Sequence, residues 1–216
     1  MGIINEYLNS LRHEFSTQRL DIDSVASNPI RQLELWIEDA VNAQILEPHA
    51  MSVSTVSKEG LPSSRIVYLR EIHENGLVFY TNYNSRKGHE LAQNSAAAAL
   101  FFYAELERQV RVEGRVIKLP DGISDKYFDS RPLESKIGAW ASNQSDEIPS
   151  RQVLEDRVKK FRLEFGEDVP RPPHWGGFLI EPARFEFWQG RPGRLHDRIV
   201  YILQQSGEWR MSRVAP

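Results

Sequence analysis

The stretch RQVRVEGRVIK, residues 108–118, puts Val110, Val112 and Val116 on one face of an extended chain and Gln109, Arg111, Glu113 and Arg115 on the other. A period of two with one apolar and one polar side is the signature of a sheet that covers a core on one face only. Working outward, the same period recurs at about 50–56, 63–70, 77–82 and 97–104, with turn signals at Lys58-Glu59-Gly60 and Glu74-Asn75-Gly76 between the first three runs. Beyond residue 170 it returns at about 177–181, 184–189, 198–203 and 208–213, the last pair joined around Ser206-Gly207. These runs predict a meander of antiparallel strands.

Helical spacing fills the rest. Ile4, Tyr7, Leu8, Leu11 and Phe15 recur every three or four residues, and Asn28 with Pro29 opens a second helix carrying Ile30, Leu33, Trp36, Ile37, Ala40 and Val41. A short helix starts at the cap Ser85, and residues 123–166 read as helical with a break at Arg131-Pro132 and a fresh start near Ser150. The expected fold class is mainly β with peripheral helices (α+β). One domain spans 1–216, with a helical amino-terminal segment at 1–46 and a helical insertion at 123–166.

Composition excludes several function classes. The 216 residues contain no cysteine, so disulfides, thiolate metal sites and a cysteine nucleophile are out. A net charge of −3 argues against a nucleic-acid partner, which needs many phosphates neutralised. No apolar run is long enough for a membrane span, and the first residues lack a basic region followed by an apolar one, so a cytoplasmic location is expected. Arginines are nevertheless grouped locally, four of them (Arg184, Arg191, Arg194 and Arg198) within residues 184–198, which suits small anionic ligands.

The common catalytic strings are missing: no G-x-G-x-x-G, no P-loop and no G-x-S-x-G. His89-Glu90 opens like a zinc-protease helix, but Gln93 stands where the second histidine belongs, and no metal is expected. What remains is a set of polar blocks. Ser85-Arg86-Lys87 at a helix amino terminus suits a phosphate, because free backbone donors, the helix dipole and two cations converge there.

The strings YTNYNSRKG (80–88), RQVR (108–111), YFDSRP (127–132), EFWQG (186–190), RLHDR (194–198) and RVAP (213–216) together resemble the pyridoxine/pyridoxamine 5′-phosphate oxidase family, from about Arg12 to the end of the chain. The resemblance implies an FMN-binding split β-barrel, a homodimer with its two cofactor clefts at the subunit interface, and oxidation of a phosphorylated B6 vitamer by molecular oxygen. By motif position it implies FMN contacts from Arg65, Ile66, Val67, Tyr68, Leu69, Arg70, Tyr80, Thr81, Arg86, Lys87, Gln109, Gln144, Ser145, Trp188 and Arg198. It implies substrate contacts from Arg12, Arg70, Tyr127, Arg131 and Ser135, and catalytic roles around the pyridine ring for Arg194 and His196. Two positions depart from the family pattern: Arg70 stands where lysine is usual, and Phe15 where tyrosine is usual. Strict alternation would also put Arg65 and Arg70 on opposite faces, so both serve one cleft only if the strand bends or ends between them. Two other functions fit the same fold: a split-barrel flavin oxidoreductase with a different substrate, and a non-catalytic flavin or pyridoxal phosphate binding protein.

Overall fold

A computed structural model describes residues 3–11, 14, 15 and 18–216. In chain order it contains α1 (Ile3–Ser10), α2 (Pro29–Asn42), β1 (Ala50–Val56), β2 (Pro62–Tyr68), β3 (Glu71–His73), β4 (Gly76–Asn82), α3 (Arg86–Gln93), β5 (Ala96–Tyr103), β6 (Arg108–Lys118), α4 (Asp121–Asp129), α5 (Leu133–Ala141), α6 (Gln152–Phe165), β7 (Trp175–Gln189), β8 (Asp197–Leu203) and β9 (Trp209–Arg213). The α+β class expected from the sequence is what forms. Among the described residues no helix is long and apolar enough to cross a membrane.

The chain packs as two units, one of residues 49–101 and 111–184, the other drawn from 1–48, 102–110 and 185–216. In the larger unit the strand order is β2-β1-β5-β6-β7-β4-β3. The pairs β1–β2, β1–β5, β3–β4 and β4–β7 are antiparallel, with Val53 opposite Arg65 and Tyr80 opposite Gly177. Burial alternates along β1, whereas every residue but one of β4 is buried. Met51, Val53, Phe79, Phe101, Val112 and Ile180 are among its fully enclosed side chains. In the smaller unit β8 pairs with β9, and Leu33, Trp36, Phe187 and Tyr201 form the centre, with Trp36 meeting Phe187 edge-on at 5.1 Å.

Four details differ from the expectations. The runs at 177–181 and 184–189 are one strand, β7, because Gly114 of β6 lets the two backbones close across Pro182; a Cβ there would lie 2.1 Å from the Glu181 carbonyl oxygen. Strand β3 was not anticipated, since three residues are too few to show a period. The first helix stops at Ser10, leaving Phe15 outside it, and Ile4, Tyr7 and Leu8 are exposed. The helical stretch at 123–166 is interrupted by irregular backbone from 142 to 151.

Candidate active site

The amino end of α3 is built as its sequence suggests. Ser85 Oγ accepts from the Gly88 N–H at 3.3 Å and donates to the Asn82 carbonyl at 2.7 Å. Glycine at 88 is required, because a Cβ would lie 2.0 Å from the Tyr83 carbonyl oxygen. This end of the helix borders a cavity of about 600 Å³ in the larger unit, lined by Arg65, Ile66, Val67, Tyr68, Arg70, Tyr80, Thr81, Arg86, Lys87, Tyr127, Arg131, Gln144, Ser145, Trp175, Ser63 and Ser64.

Its cations are held in two ways. At one end, Arg65 donates to the Val53 carbonyl at 2.9 Å, to Thr55 at 2.7 Å and to Ser63 at 2.5 Å. Its Nη2 lies 3.4 Å from Glu90, and Arg86 Nε donates to the other oxygen of Glu90 at 2.9 Å. Glu90 is buried and also accepts from Thr55 and Ser63. Burial alone would raise its pKa, but hydrogen bonds from Ser63, Thr55 and Arg86 outweigh that and hold it at about 2.

Among the described residues Lys87 has no such partner. Its buried ammonium donates to Thr81 at 2.9 Å, Ser85 at 3.2 Å and Gln144 at 2.6 Å, all neutral. Burial, with a smaller push from Arg65, lowers its pKa to about 8. The Arg86 backbone N–H donates to Ser145 Oγ at 3.1 Å, and Ser145 adopts a left-handed φ of 80° to reach it. Arg65, Arg86 and Lys87 against the single carboxylate of Glu90 leave two positive charges at this end, which match a phosphate monoester dianion.

A second group lies around Arg131, whose guanidinium sits 4.4 Å over Trp175 and 5.5 Å from the Phe128 ring. Its Nη1 is buried and, among the described residues, has no hydrogen-bond partner. Burial lowers the Arg131 pKa, the Tyr127 phenol raises it, and the charge of Arg70 lowers it further, so the two guanidiniums feel each other. Tyr127 stacks on Tyr80 at 3.7 Å, and the Tyr80 hydroxyl donates to Glu71 at 2.6 Å. A neighbouring cavity of about 360 Å³ shares Arg131, Tyr80, Thr81, Gln144 and Trp175 and adds Ser135.

In the smaller unit, Trp188, His196 and Phe15 form an aromatic cluster, with His196 at 4.6 Å from Trp188 and 4.9 Å from Phe15. His196 Nδ1 accepts from the Arg191 N–H at 3.1 Å, which leaves the proton of a neutral ring on Nε2. Burial and the charge of Arg194 lower its pKa. Gly193 and Arg194 have consecutive left-handed φ values of 63° and 61°. Arg198 makes a bidentate pair with buried Glu186, at 3.0 Å through both Nε and Nη2.

The sequence matches the pyridoxamine 5′-phosphate oxidase family model over residues 37–165, and residues 175–216 match the pyridoxine 5′-phosphate oxidase C-terminal dimerisation region. The chain belongs to this family. A pyridoxine/pyridoxamine 5′-phosphate oxidase of Cupriavidus necator is 52% identical over 97% of this chain and 99% of its own length. The protein of that name from Burkholderia thailandensis is also 52% identical, over 97% of this chain and 99% of its own. Among solved structures, PhzG of Burkholderia lata in complex with tetrahydrophenazine-1-carboxylic acid superimposes with a TM-score of 0.87 at 32% identity, over 93% of this chain and 100% of that one. A pyridoxamine 5′-phosphate oxidase-related, FMN binding protein of Nostoc punctiforme gives a TM-score of 0.69 at 17% identity, over 89% of this chain and 100% of that one, and so shares the split-barrel fold.

For this member of the oxidase family, the cavity gathers Arg65, Ile66, Val67, Tyr68, Arg70, Tyr80, Thr81, Arg86, Lys87, Tyr127, Arg131, Gln144 and Ser145, with Ser135 in the adjoining one. Leu69 is buried and lines neither. Gln109, Trp188, Arg194, His196 and Arg198 belong to the other unit, and Arg12 lies outside the described residues. Arg65 and Arg70 share the cavity because β2 ends at Tyr68, after which the Arg70 N–H bonds to the Val78 carbonyl at 2.8 Å. Sequence reasoning overlooked Glu90, Glu71 and Trp175. Glu90 had a readable signal, its spacing four residues after Arg86 on one helix face.

Proposed function

We propose that this chain is an FMN-dependent oxidase that converts pyridoxamine 5′-phosphate and pyridoxine 5′-phosphate to pyridoxal 5′-phosphate. Molecular oxygen is the final acceptor, hydrogen peroxide is released, and the amine substrate also yields ammonia after hydrolysis. The observation that carries this reading is the pair of under-compensated cationic groups in one cavity, Lys87 with its neutral partners and Arg131 with its unpartnered buried Nη1. Two phosphates, one from the cofactor and one from the substrate, account for both.

The donor set fits FMN. Arg65, Arg86 and Lys87 would hold its phosphate, Ser145, Thr81 and Gln144 offer hydroxyl and amide groups beside them, and Tyr80, Gln109, Trp188 and Arg198 are assigned to the rest of the cofactor by motif position. When bound, FMN supplies the acceptor for the two electrons that leave the substrate's 4′ carbon and passes them to oxygen. The chain's own part is placement. Arg70, Tyr127, Arg131 and Ser135 clamp the substrate phosphate, while Arg194 and the Nε2–H of His196 orient the pyridine ring, so the reacting carbon is held in one geometry. The match of residues 175–216 to a dimerisation region supports a homodimer. In this reading the enzyme is cytoplasmic.

One observation favours a second reading: the PhzG structure shares the fold closely and holds a carboxylate ligand with no phosphate in its name. The purified protein is tested by identifying its bound flavin and then measuring peroxide release with each phosphorylated vitamer and with the PhzG ligand. Flavin-loaded protein without turnover on either vitamer would defeat the proposal, and turnover only on the phenazine acid would install the second reading.

A further inference from the structure

Arg70 is held differently from Arg65, Arg86 and Lys87 of the same cavity. Among the described residues its guanidinium makes no ion pair, and it lies 5.0 Å over the ring of Tyr68. The ring of His49 lies 4.6 Å from that of Tyr68, tilted by 32°. The backbone keeps this stack in register: Tyr68 closes β2 opposite Ala50 of β1, and the Leu69 N–H donates to the His49 carbonyl at 2.9 Å. Arg131 repeats the arrangement over Trp175 at 4.4 Å.

A guanidinium lying on an aromatic face keeps its in-plane donors at the edge, free to grip two oxygens of one phosphate. An ammonium in the same place would present a point charge and gain nothing from a fixed plane. The two stacked arginines carry like charge into one cavity and, among the described residues, pair with no carboxylate, so an anion between them is the group that would relieve both.

We propose that Tyr68 is a positioning residue that fixes the plane of the Arg70 guanidinium, making the phosphate subsite a pair of arginines on aromatic platforms, selective for a phosphate group held by planar, two-point contact. This rests on the oxidase reading above and names how the substrate's phosphate is recognised. His49, in ring contact with Tyr68 at 4.6 Å, helps to hold that ring.

The test is a double-mutant cycle on FMN-saturated protein: wild type, Tyr68→Leu, Arg70→Gln and the double variant, with Tyr68→Phe as the conservative control. Flavin content is confirmed by absorbance. KM for pyridoxamine 5′-phosphate should rise about five-fold in Tyr68→Leu, the size of a partly exposed cation–π contact, with kcat changed less than two-fold. Tyr68→Phe keeps the ring and should stay within two-fold of wild type. In the Arg70→Gln background the leucine change should add less than two-fold, because the partner it orients is gone. Equal effects in both backgrounds, or a phenylalanine variant as impaired as the leucine one, overturn the proposal. The same proteins are titrated calorimetrically with pyridoxal 5′-phosphate and with inorganic phosphate. Coupling in binding without any turnover would sustain the platform and refute the oxidase reading; no binding of either ligand would refute the platform as well.

Discussion

Replacing Lys87 with methionine should stabilise the protein without its cofactor and weaken its hold on FMN, two effects of opposite sign from one buried charge. The ammonium is buried among Thr81, Ser85 and Gln144, and its pKa falls from 10.5 to about 8, burial first and Arg65 second. The folded pKa lies below the unfolded one, so the unfolded chain binds more protons between those two values. Stability of the cofactor-free protein therefore rises with pH from about 8 towards 10.5, and the full cost of the charge, roughly 3 kcal/mol, is felt below pH 8. Methionine removes that cost but also the three hydrogen bonds, leaving a net gain of about 1–2 kcal/mol, or roughly 3–6 °C in Tm. A phosphate dianion that lost its charge-assisted bond to Lys87 would bind about 10- to 100-fold more weakly. Differential scanning calorimetry of the cofactor-free proteins and FMN titration measure both. Titration above pH 8 in buffers of different ionisation enthalpy should also show proton uptake in the wild type and little in Lys87→Met. A variant that melts lower than wild type and binds FMN within three-fold of it would refute the reasoning.

Arg131→Met should raise KM for the phosphorylated vitamers by about 10- to 100-fold, the worth of one hydrogen bond to a charged group, while the melting temperature of the substrate-free enzyme does not fall; steady-state kinetics and thermal melts check this. Glu90→Gln should lower stability by about 2–3 kcal/mol at pH 7. The carboxylate's stabilisation is present above pH 4.5 and lost as pH falls through about 2, so urea denaturation of this variant should show a flatter acid limb than wild type. The acid limb of kcat/KM should have its midpoint below 6.5, because burial and Arg194 favour neutral His196, and that limb should vanish in His196→Gln.

The valine face of residues 108–118, the Ser85 cap and the Asn28-Pro29 helix start are local patterns, and each forms where its pattern stands: Val110 and Val112 are fully buried, and Asn28 accepts from the Ile30 N–H at 2.8 Å. Arg108 shares the parity of the valines and is buried with them, but alternation says nothing of what meets its charge. The guanidinium is matched by Asp39 at 2.6 Å, Gln189 at 3.0 Å and Gln18, partners 69 to 90 positions away that no window of sequence connects. The joint service of Arg65 and Arg70 was likewise unreadable, because it depends on where β2 stops and the chain passes to β4.

From sequence alone, short-range periodicity and caps determined the elements, and the spacing of six motifs determined the family. Neither could tell which cation lacks a counter-ion. Arg65 and Arg86 share Glu90, Arg198 is matched by Glu186, Lys87 meets only neutral groups and Arg131 keeps a buried nitrogen unpartnered. That division is set by contacts between residues far apart in the chain and by the exclusion of water, which only the tertiary structure decides, and it sets how much positive charge is left uncompensated for a ligand.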